Sequence, residues 1–370
     1  MSDRRVPFLD LRPVDANDLE ATQNAIRRVL ERGWLVLGPE VEAFELEFAE
    51  ASGVKHAVGV GNGTDALFLL LKVLGIGRGD EVITTPLSAA FTALSIVMTG
   101  ARPVFVDVDP DRLTIDPAAV SAAIGPTTAA ILPVHLYGQP ADMPSLVAIA
   151  ERHHLALVED CRQAHLATCG GQPVGTFGAG GAFSFYPTKN LGAAGDAGAV
   201  CSGDADLAER VRRLRHGGQA DRFEHQLAGV NSRLDELQAA ILRLRLSSLR
   251  DSTNRRRALA ARYRSALEAA SVAVPPERDP GHVYHLFPVR STERNRLRAH
   301  LYAAGIETLI HYPTSLSKQK AFADHCPAAC PTTDTVCAEV LSLPLHPRLT
   351  EADVTTVAKA VQSFPSRLSA

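Results

Sequence analysis

One lysine stands where the chain passes from an apolar strand into a glycine-rich turn, and these surroundings suit a nucleophilic amine. The strand is predicted to end at residues 184–186, Pro187 breaks it, and Lys189 follows before Gly192 and Gly195. Removing a lysine from water disfavours its cationic form, so its pKa falls and a neutral amine becomes available. Such an amine can form a Schiff base with a carbonyl compound. A solvated loop lysine would fit this segment equally well, so the choice depends on residues elsewhere.

A second stretch, G-V-G-N-G-T at residues 59–64, has the features of an anion cradle. It lies between an apolar run that starts at Ala57 and a helix in which leucines repeat at helical spacing. Gly61 and Gly63 let the backbone approach a ligand, and Thr64 lies where the first free amides of the helix point outward, which suits a phosphate. The G-x-G-x-x-G spacing of dinucleotide sites is absent. An ordinary strand-to-helix turn is the alternative.

A carboxylate, Asp160, ends another predicted strand. Apolar strands alternate with helices between residues 57 and 200, which predicts an α/β fold with a parallel sheet covered on both faces. Ligands on such sheets bind at the carboxyl ends of strands, where Asp160, Lys189 and the cradle would meet. A lone aspartate at a strand end is more often a helix cap or a turn residue. The coincidence of three different groups favours a shared site.

The sheet pattern fades after residue 200, and we predict a second, smaller domain. The chain is divided into a large domain at 1–248, which includes an N-terminal helical segment, and a C-terminal domain at 249–370. Asn231 or Ser232 is the expected N-cap of a helix at 232–250. Further elements expected after residue 200 are helices at 205–215 and 293–303, strands at 282–289 and 306–312, and a last helix that begins at Thr350 with a capping box.

Composition narrows the class of protein. The chain has 370 residues, 46% of them hydrophobic, so it can bury one large core and a smaller one. The net charge is −3 and charges of both signs are interleaved, which predicts no nucleic-acid or membrane-surface footprint. No apolar run approaches the ~20 residues that cross a bilayer, and the start lacks a signal-peptide pattern, so we expect a cytoplasmic protein.

The cysteines do not predict a cross-linked or metal-binding protein. Six cysteines scattered over this length form no disulfide framework. Three of them lie close to His325, but their spacing fits no common zinc pattern, and we predict no metal site. These three are Cys326, Cys330 and Cys337.

Pyridoxal 5′-phosphate (PLP) is one cofactor that needs all three groups. It has a phosphate to anchor, an aldehyde that a lysine can carry as an imine, and a ring nitrogen that must stay protonated to act as an electron sink. Asp160 is the candidate partner of the ring nitrogen, because a carboxylate holds that proton by direct charge stabilisation. Gln163 is placed to donate to the ring hydroxyl, and the Ser184 hydroxyl to bind the phosphate.

Nine motifs spread over nearly the whole chain resemble the DegT/StrS family of nucleotide-sugar aminotransferases, which are aspartate-aminotransferase-like enzymes of fold type I. Any single motif is weak evidence, but the ordered set is specific. The motifs are G-W-L-V-L-G-P-E-V-E-A-F-E, G-N-G-T-D-A-L, P-V-F-V-D-V-D, V-H-L-Y-G-Q, V-E-D-C-R-Q-A-H, S-F-Y-P-T-K-N-L-G, G-D-A-G-A-V, N-S-R-L-D-E-L-Q-A-A-I and H-Y-P.

The resemblance implies a fold and a set of roles. The fold would be a large domain with a mainly parallel seven-stranded sheet between helices, followed by a smaller C-terminal α+β domain. Lys189 would carry PLP and shuttle the proton, with Asp160 on the ring nitrogen and Gln163 on the ring hydroxyl. Asn231 would reach the phosphate of the neighbouring subunit, which implies a homodimer with shared active sites. Residues implied to hold the phosphate within one chain are Gly63, Thr64 and Ser184.

Two positions depart from the family pattern. Ala89 stands where relatives commonly place an aromatic residue over the cofactor ring, and Phe91 is expected to substitute for it if this segment is extended. Leu166 stands where a glycine usually follows the histidine of A-H-G. These departures affect the stacking contact and a local turn.

The implied reaction has two halves, in which L-glutamate donates an amino group and a nucleotide-linked keto-6-deoxy sugar, dTDP-linked by resemblance, accepts it. The segment G-A-A-G-D-A-G-A-V favours amination at position three; position four is the alternative. A PLP-binding regulator without turnover is the other alternative, and a sugar dehydratase is disfavoured because those relatives replace the lysine with histidine. Candidate sugar-nucleotide contacts are His311, Tyr312 and Tyr186, although His311 would also fit a structural role at a strand end.

Overall fold

The computed structural model describes residues 5–13, 15–221, 223–325 and 329–365. Its strands are β1 (His56–Val60), β2 (Glu81–Thr84), β3 (Arg102–Phe105), β4 (Thr128–Leu132), β5 (Ala156–Asp160), β6 (Thr168–Cys169), β7 (Gln172–Pro173), β8 (Gly180–Ser184), β9 (Gly198–Ser202), β10 (Gln219–Asp221), β11 (Glu224–His225), β12 (Phe287–Arg290) and β13 (Val340–Leu343). Its α-helices are α1 (Ala16–Arg32), α2 (Pro39–Ser52), α3 (Gly63–Val73), α4 (Ala90–Thr99), α5 (Pro117–Ala123), α6 (Met143–His153), α7 (Ala205–Arg215), α8 (Glu236–Leu246), α9 (Leu249–Leu267), α10 (Arg294–Ala303), α11 (Pro331–Glu339) and α12 (Glu351–Gln362).

Seven strands form the central sheet, in the order β1-β9-β8-β5-β4-β2-β3. The pairs from β8 to β3 are parallel, and only β9 runs against its neighbours. Every residue of β8 and β9 is buried, as expected for strands with helices on both faces. The prediction of a fold-type I α/β protein with a mainly parallel seven-stranded sheet is confirmed.

This topology brings the three predicted functional groups to one edge. β5 and β8 are parallel, and β1 runs in the same direction as β8 because both are antiparallel to β9. The strands therefore end together: β5 at Asp160, β8 at Ser184, and β1 just before the start of α3 at Gly63. Lys189 follows β8 in a turn, and its backbone amide donates to the carbonyl of Tyr186 at 2.8 Å.

A two-stranded antiparallel sheet, β12–β13, belongs to a second buried core that includes Tyr263, Phe287, Leu301 and Val357. Helix α12 begins as predicted, since Thr350 and Asp353 form a reciprocal capping box. The division of the chain at residue 249 stays a prediction.

Three predicted elements differ in the structure. Of the strand expected at 282–289, only the last residues form a strand, as part of β12. The backbone amides of Val283 and Leu286 donate to the loop carbonyls of Gly138 and Tyr137 instead of to a strand. No strand forms at 306–312, where two isolated bridges reach different partners. The helix expected at 232–250 is two helices, α8 and α9. Asn231 does not cap α8; Asp235 occupies that position.

In the part of the chain that the structure describes, none of the helices combines the length and the apolarity that a membrane span requires.

Candidate active site

A cavity of about 820 Å³ opens at the carboxyl edge of the sheet. It is bounded by the start of α3, the ends of β5 and β8, and the turn that carries Lys189. Most of the residues predicted from the sequence line it together: Gly63, Thr64, Asp160, Gln163, Ser184, Tyr186, Lys189 and Tyr312. Asn231 and His311 are not among its lining residues.

Lys189 is half-buried, and desolvation of its amine is the main reason that its pKa falls from 10.5 to about 8. The positive charge of Arg162 lowers the pKa further, whereas the negative charge of Asp160 raises it. Roughly a tenth of the amine is therefore neutral at pH 7, which supplies the nucleophile that imine formation requires.

Asp160 is 1% exposed, and its carboxylate accepts four hydrogen bonds. Oδ1 accepts from the backbone N–H of Arg162 at 3.2 Å and from its Nε at 2.8 Å. Oδ2 accepts from Nη2 of Arg162 and from Oγ1 of Thr92, the latter at 2.9 Å. Burial would raise the pKa of Asp160, but the charge and hydrogen bonds of Arg162 outweigh it and hold the pKa below its usual value. Asp160 therefore remains a carboxylate.

Space at the start of α3 depends on Gly63. A Cβ at this position would lie 2.6 Å from Cδ of Arg162 and 2.6 Å from Cβ of Ser184. The amide of Thr64 is not free as expected, because Oδ1 of Asn62 accepts from it at 2.9 Å. The same Asn62 oxygen caps the next residue of the helix. The hydroxyls of Thr64 and Ser184 remain as side-chain donors toward the cavity.

Gln163 is held by two tyrosines. Its Oε1 accepts from the backbone N–H of Tyr137 at 2.7 Å, which directs the amide nitrogen toward the hydroxyl of Tyr312 at 3.3 Å. Burial raises the pKa of Tyr312, so its hydroxyl keeps its proton. This arrangement presents Gln163 as a donor in the cavity, as its predicted role on a ring hydroxyl requires.

His311 lines a neighbouring cavity of about 800 Å³. Its Nδ1 lies 2.9 Å from Oγ of Ser342, and burial together with the Lys189 charge lowers its pKa to about 4, so the ring is neutral. Asn231 is exposed and pairs with His216 in an isolated bridge. Within one chain, neither residue lines the cavity that holds Lys189, although His311 lies close enough to be affected by the Lys189 charge.

The two departures from the family pattern have visible consequences. Ala89 and Phe91 both line the cavity, but Phe91 lies in the first turn of α4, so the segment is not extended as the substitution required. Leu166 has φ +63°, a left-handed conformation that glycine adopts more readily.

Arg162 and Thr92 are the site residues that the sequence prediction missed. Arg162 is 8% exposed, and its Nη2 also donates to Oγ1 of Thr92 at 2.6 Å. The available signal was a charged residue two positions after Asp160, just past a strand end, in the motif V-E-D-C-R-Q-A-H. Thr92 has no comparable signal, because its contact spans 68 residues of sequence.

A buried network beneath the site fixes the end of β5. Glu159 accepts from the amides of Gly175 at 2.7 Å and Phe177 at 2.8 Å, and it lies 3.1 Å from Nε2 of His135. Together with Cys161 these side chains have the spacing of metal ligands. Their lone pairs are engaged, however, since Nδ1 of His135 accepts from a backbone amide and burial keeps the Cys161 pKa well above 9.0, as a thiol. The cluster therefore has a structural role. Of the residues considered for zinc, Cys326 lies outside the described residues.

The donor set fits PLP. Lys189 offers a neutral amine, Asp160 a carboxylate, Gln163 an amide donor, and Gly63 leaves room that any side chain would fill. A protonated ring nitrogen that reaches Asp160 has to replace one of its four present donors.

Comparison with known proteins agrees with this chemistry. Residues 17–362 match the model of the DegT/DnrJ/EryC1/StrS aminotransferase family. A relative from Streptomyces venezuelae, dTDP-3-amino-3,4,6-trideoxy-alpha-D-glucose transaminase, is 47% identical over 98% of this chain and 97% of its own. A relative from Saccharopolyspora erythraea, the erythromycin biosynthesis sensory transduction protein EryC1, is 48% identical over 93% of this chain and 95% of its own.

Two solved structures are also similar. The crystal structure of S. venezuelae DesV in complex with a ketimine intermediate has a TM-score of 0.94 and 47% identity, and covers 98% of this chain and 99% of that chain. The structure of ntda from Bacillus subtilis with bound cofactor PMP has a TM-score of 0.91 and 30% identity, over 98% of this chain and 85% of that chain.

Proposed function

Because the chain belongs to the DegT/DnrJ/EryC1/StrS aminotransferase family, we propose that it moves the amino group of L-glutamate to position three of a dTDP-linked keto-6-deoxy sugar. The protein is a PLP-dependent aminotransferase. The observation that carries the proposal is the convergence of Lys189 and Asp160 on one cavity. Support for position three and for dTDP comes from the Streptomyces relative, which is a dTDP-3-amino-3,4,6-trideoxy-alpha-D-glucose transaminase.

The side chains of this chain suit the roles that the reaction needs. Lys189 attacks a carbonyl carbon as a neutral amine and, once released, moves a proton at its Nζ; a pKa of about 8 suits both tasks. Asp160 stays ionised and so can hold a protonated ring nitrogen. PLP supplies, when bound, the electron sink. Gln163 orients the ring, while Thr64 and Ser184 donate to the phosphate.

The test is product analysis. The holoenzyme is incubated with L-glutamate and a panel of dTDP-keto sugars that carry the ketone at position three or four, and NMR locates the new amine. The proposal expects amination at position three with formation of 2-oxoglutarate, and no product from the Lys189→Ala variant. An amine at position four would refute the proposal of position three and support the alternative, amination at position four.

The name of the Saccharopolyspora relative favours a second candidate, a PLP-binding regulator without turnover. The lowered pKa of Lys189 is compatible with both functions, because imine formation with PLP needs a neutral amine in either case. The same incubation separates the two functions. Tight PLP binding with no transfer from glutamate to any sugar would support the regulator.

The active unit in this proposal is a homodimer in which Asn231 serves the neighbouring site. Asn231 is exposed and does not line the cavity of its own chain, which supports this role. A mixed dimer of Lys189→Ala and Asn231→Ala chains, isolated with two affinity tags, tests it. If Asn231 acts across the interface, one site has both residues and regains wild-type PLP affinity. If Asn231 serves its own chain, no intact site forms.

We also propose a cytoplasmic location, a domain boundary near residue 249, and contacts from Tyr186, His311 and Tyr312 to the sugar nucleotide. Free thiols in the described part of the chain support a reducing compartment. Tyr186 and Tyr312 line the cavity that holds Lys189, and His311 lines the adjacent one.

A further inference from the structure

The cavity has little positive charge for a dianionic phosphate. Among its lining residues that the structure describes, only Arg162 and Lys189 are cations, and Lys189 is needed at the aldehyde. The first amides of α3 do not compensate for the missing positive charge, because Asn62 already accepts hydrogen bonds from two of them. The remaining side-chain donors, the hydroxyls of Thr64 and Ser184, are neutral.

Arg162 lies within reach of this phosphate region. Its Cδ and the Cβ of Ser184 are each 2.6 Å from the point where a Gly63 Cβ would lie, so the arginine stem passes directly beside the cradle. Its guanidinium binds Asp160 through Nε and Nη2. Nη1 has no hydrogen-bond partner among the residues that the structure describes. A buried guanidinium with a spare donor is well suited to bind a phosphate oxygen, because its planar fork matches that geometry.

The number of donors already bound to Asp160 also indicates that Arg162 binds a phosphate. Its carboxylate already accepts four hydrogen bonds, which is about its full capacity. A ring nitrogen must displace one of these donors. The side-chain donors of Arg162 can leave at little cost only if the guanidinium finds another anion nearby, and a phosphate held at Gly63 and Ser184 is such an anion.

We propose that Arg162 is the cationic ligand of the cofactor phosphate, and that it yields part of its contact with Asp160 to the ring nitrogen when PLP binds. In the ligand-free protein the guanidinium neutralises Asp160, and in the loaded protein it is shared between Asp160 and the phosphate. This inference rests on the proposed use of PLP and assigns the residue that recognises its phosphate.

The experiment compares PLP with pyridoxal, which lacks the phosphate. Dissociation constants of both aldehydes are measured for the apoprotein in phosphate-free buffer, for wild type and Arg162→Gln. Loss of the Arg162 charge affects the Lys189 amine equally for both aldehydes, so the phosphate contact is measured by the ratio of the two affinities. A charge-assisted hydrogen bond implies that Arg162→Gln lowers the ratio of PLP affinity to pyridoxal affinity about 10- to 100-fold. Equal weakening of both aldehydes, or no weakening of PLP, would overturn the proposal.

Two further variants keep the test decisive if Arg162→Gln does not fold. Arg162→Lys retains the positive charge without the planar guanidinium. It should show an intermediate loss of affinity for PLP and no loss of affinity for pyridoxal. Asp160→Asn keeps the guanidinium and removes its counter-charge, so the affinity for inorganic phosphate, measured as competition against PLP, should be unchanged or higher. Weaker phosphate binding by Asp160→Asn would contradict the assignment.

These measurements do not involve a sugar substrate. A failure of the Arg162 proposal with normal PLP binding by wild type leaves the aminotransferase proposal intact. Conversely, a different sugar specificity would not change the expected difference between PLP and pyridoxal.

Discussion

Replacing Asp160 or Arg162 should change the pH at which Lys189 becomes a nucleophile, and the two replacements should act in opposite directions. Burial and the Arg162 charge lower the Lys189 pKa to about 8, and the Asp160 charge raises it. Asp160→Asn removes the raising charge, so the pKa should fall below 8. Arg162→Gln removes a lowering charge and leaves Asp160 without its counter-ion, so the pKa should rise above 8.

The size of the effect follows from the neutral fraction. At pH 7, an amine with a pKa of about 8 is roughly 10% neutral, whereas a lysine with a pKa of 10.5 is roughly 0.03% neutral. Burial and the local charges therefore raise the concentration of reactive amine about 300-fold. Only the neutral amine attacks, so the reaction of wild type should increase with pH and level off above pH 8.

The assay labels the apoprotein with pyridoxal, traps the adduct with borohydride at pH 6 to 9.5, and quantifies the Lys189 peptide by mass spectrometry. The exposed Lys359 serves as the internal reference, which corrects for ionisation of the aldehyde itself. A wild-type profile that rises through pH 9.5 without an inflection would refute the burial argument. Shifts of both variants in the same direction would refute the assignment of opposing charges.

Three further substitutions test the geometry. Gly63→Ala places a Cβ 2.6 Å from atoms of Arg162 and Ser184, so PLP affinity in a fluorescence titration should fall roughly 5- to 100-fold; unchanged affinity would contradict the cradle. Leu166→Gly should be more stable than Leu166→Ala by about 1 kcal/mol in urea unfolding, because residue 166 has φ +63°; the reverse order would show that this backbone is not left-handed. Thr350→Ala should lower the free energy of unfolding by about 1 kcal/mol through loss of the α12 cap, and no loss would argue against the capping box.

The sheet and the placement of the main site residues could be predicted because they depend on local patterns. Alternating apolar strands and helices fix a parallel sheet, and in such a sheet strand ends share an edge. Asp160, Ser184 and Lys189 are each close in sequence to a strand end, so their meeting follows from topology. The capping box at Thr350 is likewise a signal of four consecutive residues.

The remaining features depend on contacts between distant segments or on side-chain directions that the sequence pattern does not fix. The part of Thr92 in the Arg162–Asp160 cluster was not predicted, because helix α4 supplies this residue from 70 residues away. The amides of α3 are occupied by Asn62, a residue that the G-N-G-T pattern placed in the cradle without indicating which way its side chain turns. Residues 306–312 look like a strand in sequence, yet they form only two isolated bridges, one to Val6 and one to Ser342.

The most direct test of the account is to find the lysine that carries the cofactor. Purified protein is saturated with PLP, reduced with borohydride and digested, and the modified peptide is identified by mass spectrometry. The account predicts that the label is on Lys189, one of six lysines in the chain, and that Asp160→Asn changes the visible spectrum of the unreduced complex. A label on another lysine, or a spectrum that Asp160→Asn leaves unaltered, would contradict the claim that Lys189 and Asp160 hold the same ring.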